Sequence, residues 1–150
     1  MRLKTHSQKG FTVLETMVAA GVSGAIIAAA APNLATMLSA ASLQSELRST
    51  AQYVRLARAT AVGKNQTAQI VVNGGTLTMQ VSPDGTTWTN TGTPLVLGSG
   101  TTVSSVSPNA SALSFTNQGT TSSTVTITLQ TTHGDTKSLV VSILGSVDPA

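Results

Sequence analysis

The chain has 150 residues, 40% of them hydrophobic and only 9% charged, and this length suits one modest globular domain with an apolar appendage better than two domains. It contains no cysteine, which excludes disulfides and thiolate metal sites. Three of its eight basic residues, Arg2, Lys4 and Lys9, lie within the first ten positions, so the basic pI does not by itself indicate a nucleic-acid partner.

A polar, basic segment, residues 1–10, precedes an apolar segment, residues 11–31. The apolar segment is interrupted at four positions, which are Thr12, Glu15, Thr16 and Ser23. A helix over residues 11–31 would span about 30 Å, the thickness of the hydrocarbon core of a bilayer. We therefore expect the transmembrane part of a helix here, with a leader on its cytoplasmic side. A secretory signal peptide is the alternative, because residues 28–31 offer A-x-A cleavage sites, but the long apolar run, its carboxylate and the following Pro32 argue against it.

Residues 32–63 keep the helical period but become amphipathic. Apolar residues recur there at spacings of three and four, at Leu43, Leu47, Ala51, Val54, Ala57 and Ala61. Gly63 and Asn65 provide a stop signal, so the spacing predicts one long helix, half in lipid and half packed on a domain. Pro32 lacks an N–H group and predicts a kink or local unwinding near the membrane exit.

From Thr67 onward the period changes to two, which predicts an antiparallel β domain over residues 64–150. The fold class is therefore α+β. The segments TAQIVVN and TLTMQVS, joined at Asn73-Gly74-Gly75, predict a hairpin whose turn needs positive φ angles. Further strands are expected at residues 86–90, 94–97, 101–106, 112–116, 123–131 and 136–144, separated by Gly, Pro, Asn and Asp.

The side chains that could support catalysis are few and scattered. His6 lies in the leader and His133 in a predicted hairpin turn, so no catalytic triad can be assembled. Asp84, Asp135 and Asp148 each lie beside Gly or Pro, where an aspartate usually bonds its own backbone in a turn. No calcium-loop spacing is present. We expect neither an enzyme nor a metal or cofactor site.

Four basic residues, Arg48, Arg55, Arg58 and Lys64, follow the amphipathic part of the helix and could track a phosphate backbone. No aromatic side chains alternate with them to stack bases, so a solvated helix flank is the favoured interpretation and a nucleic-acid partner is not expected.

The stretch KGFTVLETMVAAGVSGAIIAAAAPN resembles the class III signal and N-terminal helix of type IV pilins and type II secretion pseudopilins. Three further stretches, YVRLARATAVGKNQTAQIVV, LSFTNQGTTSSTVTITL and SLVVSILGSV, resemble the GspH/FimT family of minor pilins and pseudopilins. Together these stretches cover nearly the whole chain.

The resemblance implies how the N-terminal segment is processed. Prepilin peptidase would cleave after Gly10 and remove residues 1–10, and Phe11 would become the N-methylated first residue. Glu15 would be an assembly residue, and Pro32 falls where many such pilins carry a helix-kinking proline. A carboxylate in hydrocarbon is unfavourable by about 2.5 to 3.5 kcal/mol at the helix centre, so Glu15 needs a partner, and the amine freed at Phe11 of a neighbouring subunit could provide it.

The resemblance also implies a function and a location. It implies a structural minor pseudopilin of the type II protein secretion system, held in the bacterial inner membrane with its β domain in the periplasm and then assembled with other pseudopilins at the filament tip. A minor type IV pilin that primes pilus assembly is the closest alternative. A DNA-binding tip pilin is a third, but the family's basic C-terminal tail is replaced here by Gly145-Ser146-Val147-Asp148, which contains no cation.

Overall fold

The computed structural model of the chain describes residues 11–98, 100–108 and 112–149, without the side chains of residues 30–33 and 35. Within these ranges the chain forms one helix and nine strands. The helix is α1 (Val13–Lys64). The strands are β1 (Thr67–Asn73), β2 (Thr76–Ser82), β3 (Thr89–Asn90), β4 (Leu95–Val96), β5 (Thr101–Ser107), β6 (Ala112–Phe115), β7 (Val125–Thr131), β8 (Thr136–Val141) and β9 (Val147–Pro149). The chain divides into two compact units, residues 1–37 and residues 38–150.

Helix α1 ends through its own hydrogen-bonding groups. Asn65 adopts a φ of 52°, its N–H donates to the carbonyl of Val62, and the N–H of Gln66 donates to the carbonyl of Ala61. These two bonds form a Schellman motif, in which a left-handed residue satisfies the last helical carbonyls. Gly63, expected to help end the helix, is still helical, so the expected boundary between residues 63 and 64 is one residue early.

In the unit of residues 38–150, the predicted apolar face of α1 is confirmed as the packing face. Its six members, Leu43, Leu47, Ala51, Val54, Ala57 and Ala61, are all buried, and they join buried residues of both sheets in one hydrophobic cluster. Tyr53 packs in the same cluster and its hydroxyl oxygen accepts a hydrogen bond from the Met79 N–H at 3.0 Å. The amphipathic half of the helix is thus the central element of this core.

The strands form two antiparallel sheets. In the first, the order β3-β2-β1-β6 is joined by β4, which also pairs with β2, and in the second the order is β5-β7-β8-β9. The predicted hairpin is confirmed, with Asn73 paired to Thr76 across its turn. Of the three turn residues expected to adopt positive φ, only Gly74 does, at 58°.

Several expected strand boundaries are wrong. The strand expected over residues 86–90 is only Thr89–Asn90, because Asp84 holds the preceding residues in a turn in which the Thr86 and Thr87 N–H groups donate to its Oδ1 atom. The strand expected over residues 136–144 ends at Val141. A tight turn follows there, since the Gly145 N–H donates to the carbonyl of Ser142, and it leads into β9, which the sequence analysis missed.

Candidate assembly site

The first part of α1 has no packing partner within the described unit of residues 11–37. Large apolar side chains are exposed on every side of it, with Phe11 81%, Leu14 72% and Ile27 69% exposed. By contrast, the apolar face in the second part of the helix is almost completely buried. An unpartnered apolar surface of this extent on a helix indicates an environment other than water, either lipid or other helices.

The N-terminus of α1 contains a cap that the sequence analysis missed. The Glu15 N–H donates to the Thr12 side-chain oxygen at 3.2 Å, so Thr12 is the N-cap residue and Glu15 lies in the first turn. The pattern T-x-x-E before an apolar run is the sequence signature of such a start and could have been recognised. A carboxylate in the first turn also interacts favourably with the helix dipole.

This local role does not occupy the Glu15 carboxylate. Among the described residues, its oxygens have neither a hydrogen-bond nor an ion-pair partner, and the side chain is exposed.

The other N-terminal predictions are only partly accessible in the structure. Gly10 lies outside the described residues, and so does the leader of residues 1–10. Helix α1 continues through Pro32 without interruption, so the expected local unwinding does not occur there. The side chain of Pro32 is outside the described part of the chain. Within the described ranges, no helix contains a stretch long and apolar enough to cross a membrane.

The basic flank of α1 consists mainly of residues that bond the β domain. Arg58 Nε donates to the carbonyl of Gly119 at 3.0 Å, Arg55 Nη2 to the carbonyl of Val147 at 3.0 Å, and Lys64 Nζ to Thr91 Oγ1 at 3.2 Å. Only Arg48 of these four lacks a hydrogen-bond or ion-pair partner within the described chain. The two bonded arginines join the β6–β7 connection and strand β9 to the helix.

The turn between β8 and β9 lies directly against Arg58. Gly145 adopts a φ of 76°, and a methyl group at its Cα would lie 2.6 Å from Arg58 Nε and against the carbonyl oxygen of Gly119. Position 145 therefore requires glycine both for its backbone angle and for the space. The residues that replace the basic tail of the resembled family lead into strand β9, in which Asp148 pairs with Val140.

The remaining polar residues have structural roles or stand alone. Asp84 accepts bonds from two backbone N–H groups and from the Ser82 hydroxyl, and these bonds lower the pKa of its carboxyl below the ordinary value. Asp135 lies in the β7–β8 turn, as expected, whereas Asp148 lies in a strand rather than a turn. His133 lies exposed in that same β7–β8 turn. No group of three potential metal ligands occurs among the described residues.

Comparison with known proteins places this architecture in a family. The family model described as type II transport protein GspH matches residues 46–146. No curated protein sequence matches the chain.

Solved structures share the fold at low sequence identity. The type IV minor pilin FimU of Pseudomonas aeruginosa aligns with a TM-score of 0.61 and 19% identity, over 72% of this chain and 87% of FimU. The minor pseudopilin EpsH from the type 2 secretion system of Vibrio cholerae aligns with a TM-score of 0.59 and 12% identity, over 72% of this chain and 95% of EpsH. The family match covers about two thirds of the chain, so the chain belongs to the GspH family, and it shares the α+β fold of both the minor pilin and the minor pseudopilin.

Proposed function

We propose that this chain is a structural subunit of the type II secretion pseudopilus, made as a membrane-anchored precursor and assembled after cleavage between Gly10 and Phe11. The observation that supports this most strongly is the family match over residues 46–146, together with an N-terminal helix whose apolar side chains have no partner in its own unit. The anchor would hold the β domain in the periplasm of a bacterial cell. No catalytic role is proposed, because the family is a structural one.

The proposed assembly step depends on the order of processing and contact. Cleavage by prepilin peptidase would expose the amine of Phe11, which N-methylation leaves protonated near neutral pH. The carboxylate of Glu15, exposed and unpartnered among the described residues, could then pair with the Phe11 amine of a neighbouring subunit. In an apolar environment such a pair relieves the cost of an isolated charge, which is about 2.5 to 3.5 kcal/mol at a helix centre and less near a helix end, where Glu15 lies.

Two small residues support packing between such helices. Gly21 and Gly24 lie in the exposed segment, and no atom lies within 4 Å of the position that a Cβ would take at either. Small residues of this kind let helix backbones approach closely in an apolar phase. Pro32, beyond them, would allow α1 to bend where it leaves that phase.

Replacement of Gly10 by a bulky residue tests the cleavage step. Gly10→Leu should leave the precursor uncut, because the peptidase site would no longer accept the residue before the scissile bond. A gel shift between precursor and mature chain measures this, and Gly21→Leu is the matched control that should mature normally. Normal maturation of Gly10→Leu would overturn the assigned site.

Replacement of Glu15 tests the assembly step separately. Glu15→Ala should mature normally but enter sheared filaments at least fivefold less than the wild type, a loss of about 1 kcal/mol or more. Thr16→Ala, a neighbouring polar change, should assemble as the wild type. Undiminished incorporation of Glu15→Ala would count against the pairing.

A minor type IV pilin is the second candidate, because the fold is shared with FimU as well as with EpsH. Retention of protein secretion after deletion of this chain, with loss of surface pili, would favour the pilin role. A DNA-binding tip role has less support, since Arg55 and Arg58 bond backbone carbonyls of their own domain.

A further inference from the structure

A cleft of about 300 Å³ lies between α1 and the edge of the second sheet. Its floor is apolar and consists of Leu47, Ala51, Leu139 and Pro149. Its rim is polar and consists of Gln44, Arg48, Gln52 and Arg55, which recur on one stripe of the helix. This volume is at the lower end of the range for ligand sites, with the usual combination of an apolar floor and a few polar groups.

The charged side chains that line the cleft are both cations, Arg48 and Arg55. Arg48 has no partner within the described residues, Arg55 uses one of its nitrogens for the Val147 carbonyl, and Lys137 reaches the rim through a 2.6 Å bond from its Nζ to Gln44 Oε1.

Three acidic residues lie near the cleft along the chain, and none is among its lining residues. Asp135, two residues before Lys137, accepts a 3.4 Å bond from the Ser39 hydroxyl. Glu46 is about 200° around the helix from Arg48, by 3.6 residues per turn, and accepts a bond from the Gly98 N–H instead. Asp148 alternates with Pro149 along β9 and so faces away from the cleft. The cleft therefore favours a ligand with a negative charge.

The edge of β9 is poorly suited to pairing with a further strand. The Val147 carbonyl is already bonded to Arg55, and Pro149 has no N–H to donate. A chain entering the cleft would therefore be bound mainly through its side chains, with little contribution from extension of the sheet. The floor suits an apolar side chain and the rim suits an adjacent carboxylate, which an arginine can bind with two parallel hydrogen bonds.

We propose that this cleft docks a segment of a neighbouring pilin-like subunit that carries an apolar side chain next to an Asp or Glu. The identity of the partner as a pilin-like subunit rests on the proposed function, whereas its acidic and apolar chemistry rests on the cleft alone. A nucleic acid fits less well, because a phosphate backbone offers nothing to the apolar floor and no aromatic residue lines the cleft for base stacking.

The test uses the full-length chain in cells that assemble it, with a photoreactive amino acid in place of Gln52. The crosslinked segment is identified by mass spectrometry. We expect it to belong to another pilin-like subunit and to contain a carboxylate. Arg48→Glu should lower the crosslink yield about tenfold, because it sets two like charges opposite each other, and replacement of the partner's carboxylate by Arg should restore it. Lys64→Glu is the matched control, since Lys64 is an exposed cation of the same helix that bonds Thr91 outside the cleft.

Several results would overturn the inference. These are a crosslinked segment without Asp or Glu, a crosslink to nucleic acid, an unchanged yield in Arg48→Glu, or an equal loss in Lys64→Glu. A chain that enters filaments without any crosslink at position 52 overturns the docking cleft and leaves the proposed function intact. A chain that crosslinks to an acidic segment in the membrane but never enters filaments supports the cleft and overturns the filament role.

Discussion

Replacement of Gly145 by alanine should destabilise the domain more than any other glycine substitution that leaves the helix intact. The residue has a φ of 76°, and a left-handed conformation costs an alanine about 1 to 2 kcal/mol. The added methyl group would also lie 2.6 Å from Arg58 Nε and 2.9 Å from Arg58 Cδ, and it would press on the carbonyl of Gly119. Overpacking of this kind costs about 1 to 3 kcal/mol, so Gly145→Ala should lower the free energy of unfolding by about 2 to 5 kcal/mol.

Two other glycines separate the backbone effect from the steric one. Gly134 has a φ of 90° with no atom within 4 Å of a Cβ, so Gly134→Ala should show the backbone cost alone, about 1 to 2 kcal/mol. Gly63 is helical and equally open, so Gly63→Ala should raise the free energy of unfolding by about 0.5 to 1 kcal/mol.

Thermal unfolding of the full chain in detergent, followed by near-UV circular dichroism, measures all three variants. For a domain of this size each kcal/mol shifts Tm by about 3 to 5 °C, so Gly145→Ala should lower Tm by about 6 to 25 °C. A decrease no larger than that of Gly134→Ala would refute the contact of the β8–β9 turn with Arg58.

Three smaller predictions concern single polar groups. Tyr53→Phe should lower the free energy of unfolding by about 1 to 2 kcal/mol, because it leaves the buried Met79 N–H without its acceptor; urea unfolding measures this, and an unchanged midpoint would contradict it. Thr50→Val should raise the free energy of unfolding by about 1 kcal/mol, because within the described residues Thr50 Oγ1 is a buried hydroxyl without a partner. Urea unfolding measures this too, and a lower midpoint would show that the hydroxyl is bonded. The pKa of Asp84 is lowered, so the hydrogen bonds to its carboxylate stabilise the folded state above pH 3.8, its ordinary pKa, and this stabilisation is lost as the pH falls below 3.8. Asp84→Asn should therefore flatten the dependence of Tm on pH below this value. An unaltered slope would refute the assignment.

The buried face of the helix and the first hairpin could be predicted, because each depends on residues that are close together in the sequence. The apolar spacing from Leu43 to Ala61 identified the buried face of α1, because apolar residues on one face of a helix recur about every 3.6 residues along the sequence. The Asn-Gly-Gly pattern at position 73 identified the first hairpin, because few residues adopt its turn angles.

The features that depend on distant contacts could not be predicted in this way. Strand β9 is only three residues long and contains a proline, so nothing in its own composition separates it from a loop. Arg55 and Arg58 look like a solvated flank in sequence, and only the fold brings them to Val147 and Gly119, 92 and 61 residues away. The cleft beside Arg48 likewise requires the helix and the sheet edge to meet. The cap at Thr12 was a local signal that was overlooked.

The central claim is that the chain is processed at Gly10 and then built into a filament. Intact-mass measurement of the chain recovered from sheared filaments tests this most directly, because it reports presence and processing together. We predict a chain that begins with N-methylated Phe11 and is less abundant than the main filament subunit. A chain that is missing from the filaments, or one that begins at Met1 or beyond residue 31, would contradict it.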